Sequence, residues 1–153
     1  MTNQFKQDVL EEHNRVRAQH SAAPLQLDES ICRYAQSWAN HLAATNKLQH
    51  RTTNKYGENL YVLLGRAECS GVDVVQSWYK ERKDYTFGQP DPGLRFSKVG
   101  HFTQVVWKDC THLGVGMAIA TGGKGVYVVC NYNPPGNVKN RYSENVAEKF
   151  PVP

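Results

Sequence analysis

GHFTQVVW, from Gly100 to Trp107, decides the reading of this chain together with CNYNPPGN, from Cys130 to Asn137. The first run sets one histidine beside a compact apolar segment, which ties His101 to a rigid element where it can act as ligand or base. His101, Val105 and Lys108 do not alternate, so the run predicts a short helix and not a strand. The second run follows the apolar stretch Val126 to Val129 and carries two prolines and a glycine, which stop ladder pairing and turn the chain. Asn131, Tyr132 and Asn137 are expected to fix that turn.

Between the two runs the period changes to two: Leu113, Val115, Met117 and Ile119 alternate with small residues, and Gly122-Gly123 turns the chain into the return strand. That predicts a β-hairpin, and Leu60 to Leu64 predicts a further short strand. Upstream, Phe5, Val9 and Val16 fall at helical spacing behind Thr2 or Asn3. A second helix starts at Asp28 and puts Ile31, Ala35, Trp38 and Leu42 on one face. A third starts at Ser70 and carries Val74, Trp78, Glu81 and Tyr85 on a common stripe. A carboxylate among large apolar groups needs a partner, which makes Glu81 a candidate site residue. Asp84 to Val99, with Gly88, Pro90, Pro92 and Gly93, reads as a long exposed loop. Trp38, Trp78 and Trp107 read as core, and His13, His20, His41 and His112 as surface or packing residues.

The 153 residues make one domain, 1–153, with an ordinary globular composition. A net charge of +4, scattered apart from Lys80, Arg82 and Lys83, gives no stripe for nucleic acid. No apolar run approaches the roughly 20 residues that cross a bilayer. The amino terminus enters a charged helical pattern without a secretory signal, so the chain is expected either to stay inside the cell or to have had a signal removed. Cys32, Cys69, Cys110 and Cys130 stand singly, which argues against a zinc finger and reads as buried thiols, or as two disulfides if the protein is exported.

Both signature runs, with HNRVRAQHSAAPLQLD (His13 to Asp28), KLQH (Lys47 to His50) and GENL (Gly57 to Leu60), follow one another as in the CAP superfamily. The chain resembles those cysteine-rich secretory, antigen 5 and pathogenesis-related proteins over nearly its whole length. The resemblance implies an α+β fold: a three-layer α-β-α sandwich with a small antiparallel sheet. It implies a cavity formed by His50, Glu58, Glu81 and His101, in which the two histidines are metal ligands able to accept zinc. Glu58 and Glu81 would bind the metal's water or orient the imidazoles. It also implies a lipid ligand, sterol or fatty acid. Tyr85, Phe87, Leu94 and Phe96 give the loop before GHFTQ the apolar surface for such contact, or equally pack down onto the domain. Cys110, and the lack of a cysteine in Gly114-Val115-Gly116, depart from the secreted members and put their disulfides in doubt. The chain looks most like the Golgi-associated branch, although Thr2 stands where an acylated glycine would have to be.

The reading is therefore a non-enzymatic lipid-binding module that associates peripherally with membranes, with no catalytic residue assigned. The alternatives are an interaction or defence protein acting as a homodimer, and a zinc hydrolase with Glu58 or Glu81 as base. Against the hydrolase stand the missing HExxH and third ligand; against a serine or cysteine nucleophile, the missing GxSxG. The expected place is the Golgi-associated endomembrane, or outside the cell if a signal was removed.

Overall fold

The computed structural model describes residues 2–150. Its elements run α1 (Asn3–Gln19), β1 (Gln26–Leu27), α2 (Glu29–Thr45), β2 (Gly57–Leu64), α3 (Gly71–Tyr79), α4 (Phe96–Val106), β3 (His112–Ile119), β4 (Gly125–Asn133) and α5 (Tyr142–Asn145), with 3-10 turns at Lys80–Asp84 and Gly93–Arg95. The strands form one sheet in the order β1-β3-β4-β2. β2, β3 and β4 are antiparallel as the hairpin pattern requires, and the two-residue β1 adds a parallel edge, so the sheet is mixed.

The helices start where their caps put them. Thr2 Oγ1 accepts from the Phe5 N–H at 3.1 Å, Asp28 from Ile31 at 3.0 Å, and Ser70 from Asp73 at 3.3 Å. α2 ends at Asn46, held at φ 54°, a left-handed position that asparagine tolerates.

Alternation along β4 builds two cores. Val126, Val128, Cys130 and Tyr132 face a layer of α1, α3 and α4, while Tyr127 and Val129 face α2 through Ala35, Ala39 and Leu42. β4 is central, and every residue from Gly125 to Tyr132 is buried. On β3, Gly114 and Gly116 face α2 so closely that a Cβ on either would overlap the backbone at Ile31 or Ala35. Those glycines set the distance between sheet and helix.

Arg17 locks the other layer. It is wholly buried, has no salt bridge among the described residues, and donates to the carbonyls of Ala23, Val105, Trp107 and Cys110 at 2.9–3.1 Å. A cation there meets the negative end of the α4 dipole, while burial lowers its pKa to about 10.

Several expectations need correction. α3 stops at Tyr79, so Glu81 and Tyr85 lie on and after a 3-10 turn and not on the helix. Asp84 to Val99 is not one loop, because α4 begins at Phe96. β2 begins three residues earlier than its apolar run, at Gly57. Trp38 is only partly buried, at the margin of the α2 core, because its indole is bonded to the following loop. β1 and α5 are too short to leave a periodic signal. All four cysteines are free thiols, with Cys32, Cys110 and Cys130 buried.

Candidate functional site

A cleft of about 170 Å³ opens where the start of β2 meets α4. His50, Glu58 and Asn59 line one side, and Phe96, Ser97, Gly100, His101 and Asn137 the other. The cleft brings together His50, Glu58 and His101, and Glu81 braces His101 from behind. The carboxylates occupy the same nitrogen of each ring. His50 Nδ1 lies 3.0 Å from Glu58 Oε1, and His101 Nδ1 lies 2.8 Å from Glu81 Oε2. A carboxylate on Nδ1 fixes both ring orientation and tautomer, and leaves Nε2 as the free donor of each imidazole.

Each carboxylate is itself fixed. Glu81 Oε1 accepts from the N–H groups of His101 and Phe102, both at 3.0 Å. Glu58 accepts from the Arg51 N–H and from Asn131 Nδ2, both at 3.1 Å. Burial alone would raise the Glu58 carboxyl; hydrogen bonds from His50, Asn54, Asn131 and the Arg51 N–H outweigh it and hold the group below its usual range.

Behind the cleft, Asn59 Nδ2 donates to the His101 carbonyl at 3.1 Å and reaches the Tyr132 hydroxyl at 3.3 Å. That hydroxyl lies 2.7 Å from His13 Nε2, and His13 Nδ1 lies 2.8 Å from the Val9 carbonyl. A carbonyl only accepts, so Nδ1 carries the proton and Nε2 accepts from the phenol. Burial drives His13 down to about 4. Trp78 stacks on His101 with ring centroids 6.2 Å apart and planes 9° off parallel. Its indole Nε1 donates to the Leu60 carbonyl at 3.0 Å, which pins β2 beside the ring.

Asn131, Tyr132 and Asn137 thus do a different task from fixing a turn. Asn131 and Tyr132 lie within β4 and reach Glu58 and His13. Asn137 accepts from Thr103 Oγ1 at 2.6 Å and donates to the Gly100 carbonyl at 2.9 Å, closing the cleft's far wall. Asn59 was not singled out in the sequence; its signal was a second polar residue beside Glu58 at the head of β2, before the apolar run from Leu60. Nor was Arg51, which carried no signal in its own loop.

The four apolar residues assigned to lipid divide into pairs. Tyr85 and Phe87 pack inward on Phe102 with centroids 5.7 and 6.2 Å away, and Phe87 also stacks on His20. Leu94 is fully exposed and Phe96 is 47% exposed. Arg95 and Lys98 lie exposed beside them. Only Phe96 belongs to the cleft.

Among the described residues no group of three or more His, Cys, Asp or Glu side chains is placed to hold a metal ion. In the cleft, Nε2 of His50 and Nε2 of His101 are the imidazole nitrogens that the carboxylates leave unoccupied. No helix among the described residues is long and apolar enough to cross a membrane.

Comparison with known proteins identifies the family and the fold. The family model for the cysteine-rich secretory protein family, CAP, matches residues 10–132. The human Golgi-associated plant pathogenesis-related protein 1 is 39% identical over 150 residues, covering 95% of this chain and 94% of that protein. The Arabidopsis thaliana pathogenesis-related protein 1 is 37% identical, covering 89% of this chain and 80% of its own. The crystal structure of NaASP2 with Zn2+ shares the fold at TM-score 0.77 and 24% identity, covering 98% of this chain and 88% of that one.

Proposed function

The chain belongs to the CAP family of cysteine-rich secretory proteins, and from that premise we propose that it is a non-enzymatic binding module. It takes zinc between His50 and His101 and offers a lipid-binding lip beside that cleft. Phe96 carries the reading, because it lines the cleft with both histidines and is also exposed next to Leu94. One surface therefore joins the imidazole pair to an apolar wedge.

Nε2 of His50 and of His101 would hold the ion, and Glu58 and Glu81 would keep the rings aimed and basic. Bound zinc supplies Lewis acidity and charge to the cleft. Two protein nitrogens leave most of the coordination to solvent, which makes the site open and exchangeable. Nδ1 of each imidazole is taken by a carboxylate, which leaves Nε2 for an ion, and neither ring bonds Ser97, the hydroxyl of the lining, so the described residues of the cleft form no nucleophile–base pair.

Leu94 and Phe96, flanked by Arg95 and Lys98, suit the interface of an anionic lipid surface, where apolar side chains enter and cations stay at the headgroups. Tyr85 and Phe87 support the lip from below. The relatives' names place one of them at the Golgi, and a peripheral endomembrane location follows for this chain on the same reading.

Equilibrium binding of labelled cholesterol in anionic vesicles, with added zinc and with chelator, tests the proposal. Saturable binding that depends on zinc is the expected result. No binding in either condition overturns the lipid half.

A further inference from the structure

The geometry points to Arg51 as the positioning residue for His50, acting with Trp38 to bolt the histidine's loop to α2. This deepens the zinc reading of the cleft and rests on it.

His50 has the weaker support of the two imidazoles. Its side chain is 63% exposed, against 35% for His101. It sits between α2 and β2 in the stretch 47–56, which forms neither helix nor strand, and its ring is held by one bond to Glu58. Ordering an irregular residue costs about 1–2 kcal/mol of backbone entropy, so an exposed ligand on such a stretch needs its backbone held from outside.

Both neighbours of His50 are held, and by the same helix. On one side, the Trp38 indole N–H donates to the Gln49 carbonyl at 2.9 Å. On the other, the Arg51 guanidinium lies 3.7 Å above the Tyr34 ring and 5.3 Å from Trp38. Arg51 Nη2 donates to the Tyr34 carbonyl at 2.7 Å and to Ser37 Oγ at 3.0 Å. The Arg51 backbone N–H then donates to Glu58 Oε1, the oxygen that also receives His50 Nδ1. One residue thus joins α2, the loop and the carboxylate that aims the ring.

Tyr34, Ser37 and Trp38 stand at positions i, i+3 and i+4, a stripe of α2 that borders its core residues, with Trp38 packed against the margin of the Ala35, Ala39 and Leu42 cluster. A planar fork that stacks and donates at once is specific to arginine; lysine reproduces the charge but not the stacking. The Arg51 guanidinium bonds Tyr34 and Ser37 and neither histidine, so its effect on zinc would pass through the backbone of the His50 loop and the Glu58 carboxylate that the loop holds.

The test compares the native protein with Arg51→Ala, Arg51→Lys and Trp38→Phe. It reads zinc affinity by competition with a chromophoric chelator and the His50 and His101 ring signals by NMR. Arg51→Ala is expected to move or broaden the His50 signal, leave that of His101 in place, and weaken zinc about tenfold or more. Arg51→Lys should fall between, and Trp38→Phe should displace the same His50 signal, which keeps the test alive if Arg51→Ala does not fold. Unchanged His50 signals and unchanged affinity in the folded variants overturn the inference. If the native protein binds no zinc, the cleft reading fails, while the His50 signal still decides the bracket.

Discussion

Glu81 holds His101 at two points, accepting from its ring Nδ1 at 2.8 Å and from its backbone N–H at 3.0 Å. The second contact fixes α4 against the 3-10 turn, and the first fixes the ring on α4, so ligand and scaffold share one carboxylate. Glu81→Ala is therefore expected to weaken zinc by about ten- to a hundredfold. It should also lower stability by about 1–3 kcal/mol through the lost hydrogen bonds from the His101 and Phe102 amides to the carboxylate. Zinc titration and urea unfolding of the same variant read both effects.

His13 sets an acid limit on the fold. Its buried ring titrates at about 4 against an ordinary value of 6.5. Between those values the unfolded chain binds the proton and the folded one does not, so stability is full above pH 6.5 and falls as pH drops toward 4. The loss is on the order of 3 kcal/mol. His20, lowered mainly by burial, works in the same direction. Urea midpoints across that range should show the slope, and His13→Gln should flatten it.

The four apolar residues before GHFTQ should separate cleanly on substitution. Leu94→Ser and Phe96→Ser should cut vesicle binding with little change in unfolding midpoint, because both side chains are solvent-exposed. Phe87→Ala should cost stability, toward the 3–5 kcal/mol typical of a lost core aromatic, because its ring packs against Tyr85, His20 and Phe102. Vesicle co-sedimentation beside thermal melts distinguishes the two outcomes; a melt lowered equally by all three would contradict the division.

Gly116→Ala should destabilise the protein by about 1–3 kcal/mol or more, since the new methyl group meets the α2 backbone and not a movable side chain. Chemical denaturation measures this directly. Because α2 carries the bracket on Arg51, the variant should also disturb the His50 ring signal.

Much of this was legible in the chain because periodicity and caps are local. Thr2, Asp28 and Ser70 announced their helices, and the alternation from Leu113 to Tyr132 announced the hairpin. His50, Glu58, Glu81 and His101 were legible through the family's motifs, and their pairing follows from where β2 and the 3-10 turn carry the acids. What stayed hidden depends on contacts distant in sequence. Trp38 has the spacing of a core residue but sits at the core's margin, with its indole N–H on the Gln49 carbonyl. Tyr85 and Phe87 look like an exposed loop until the ring of Phe102 is placed beneath them. Arg17, a charge on an amphipathic helix, gave no sign that four carbonyls from other segments would surround it.

Isothermal titration of zinc into the metal-free protein, with the His50→Ala, His101→Ala double variant run alongside, reads directly whether the imidazole pair holds an ion. One ion per chain is expected in the native protein, with no measurable binding in the folded double variant. No uptake by the native protein, or equal uptake by both, would contradict the zinc reading of the cleft.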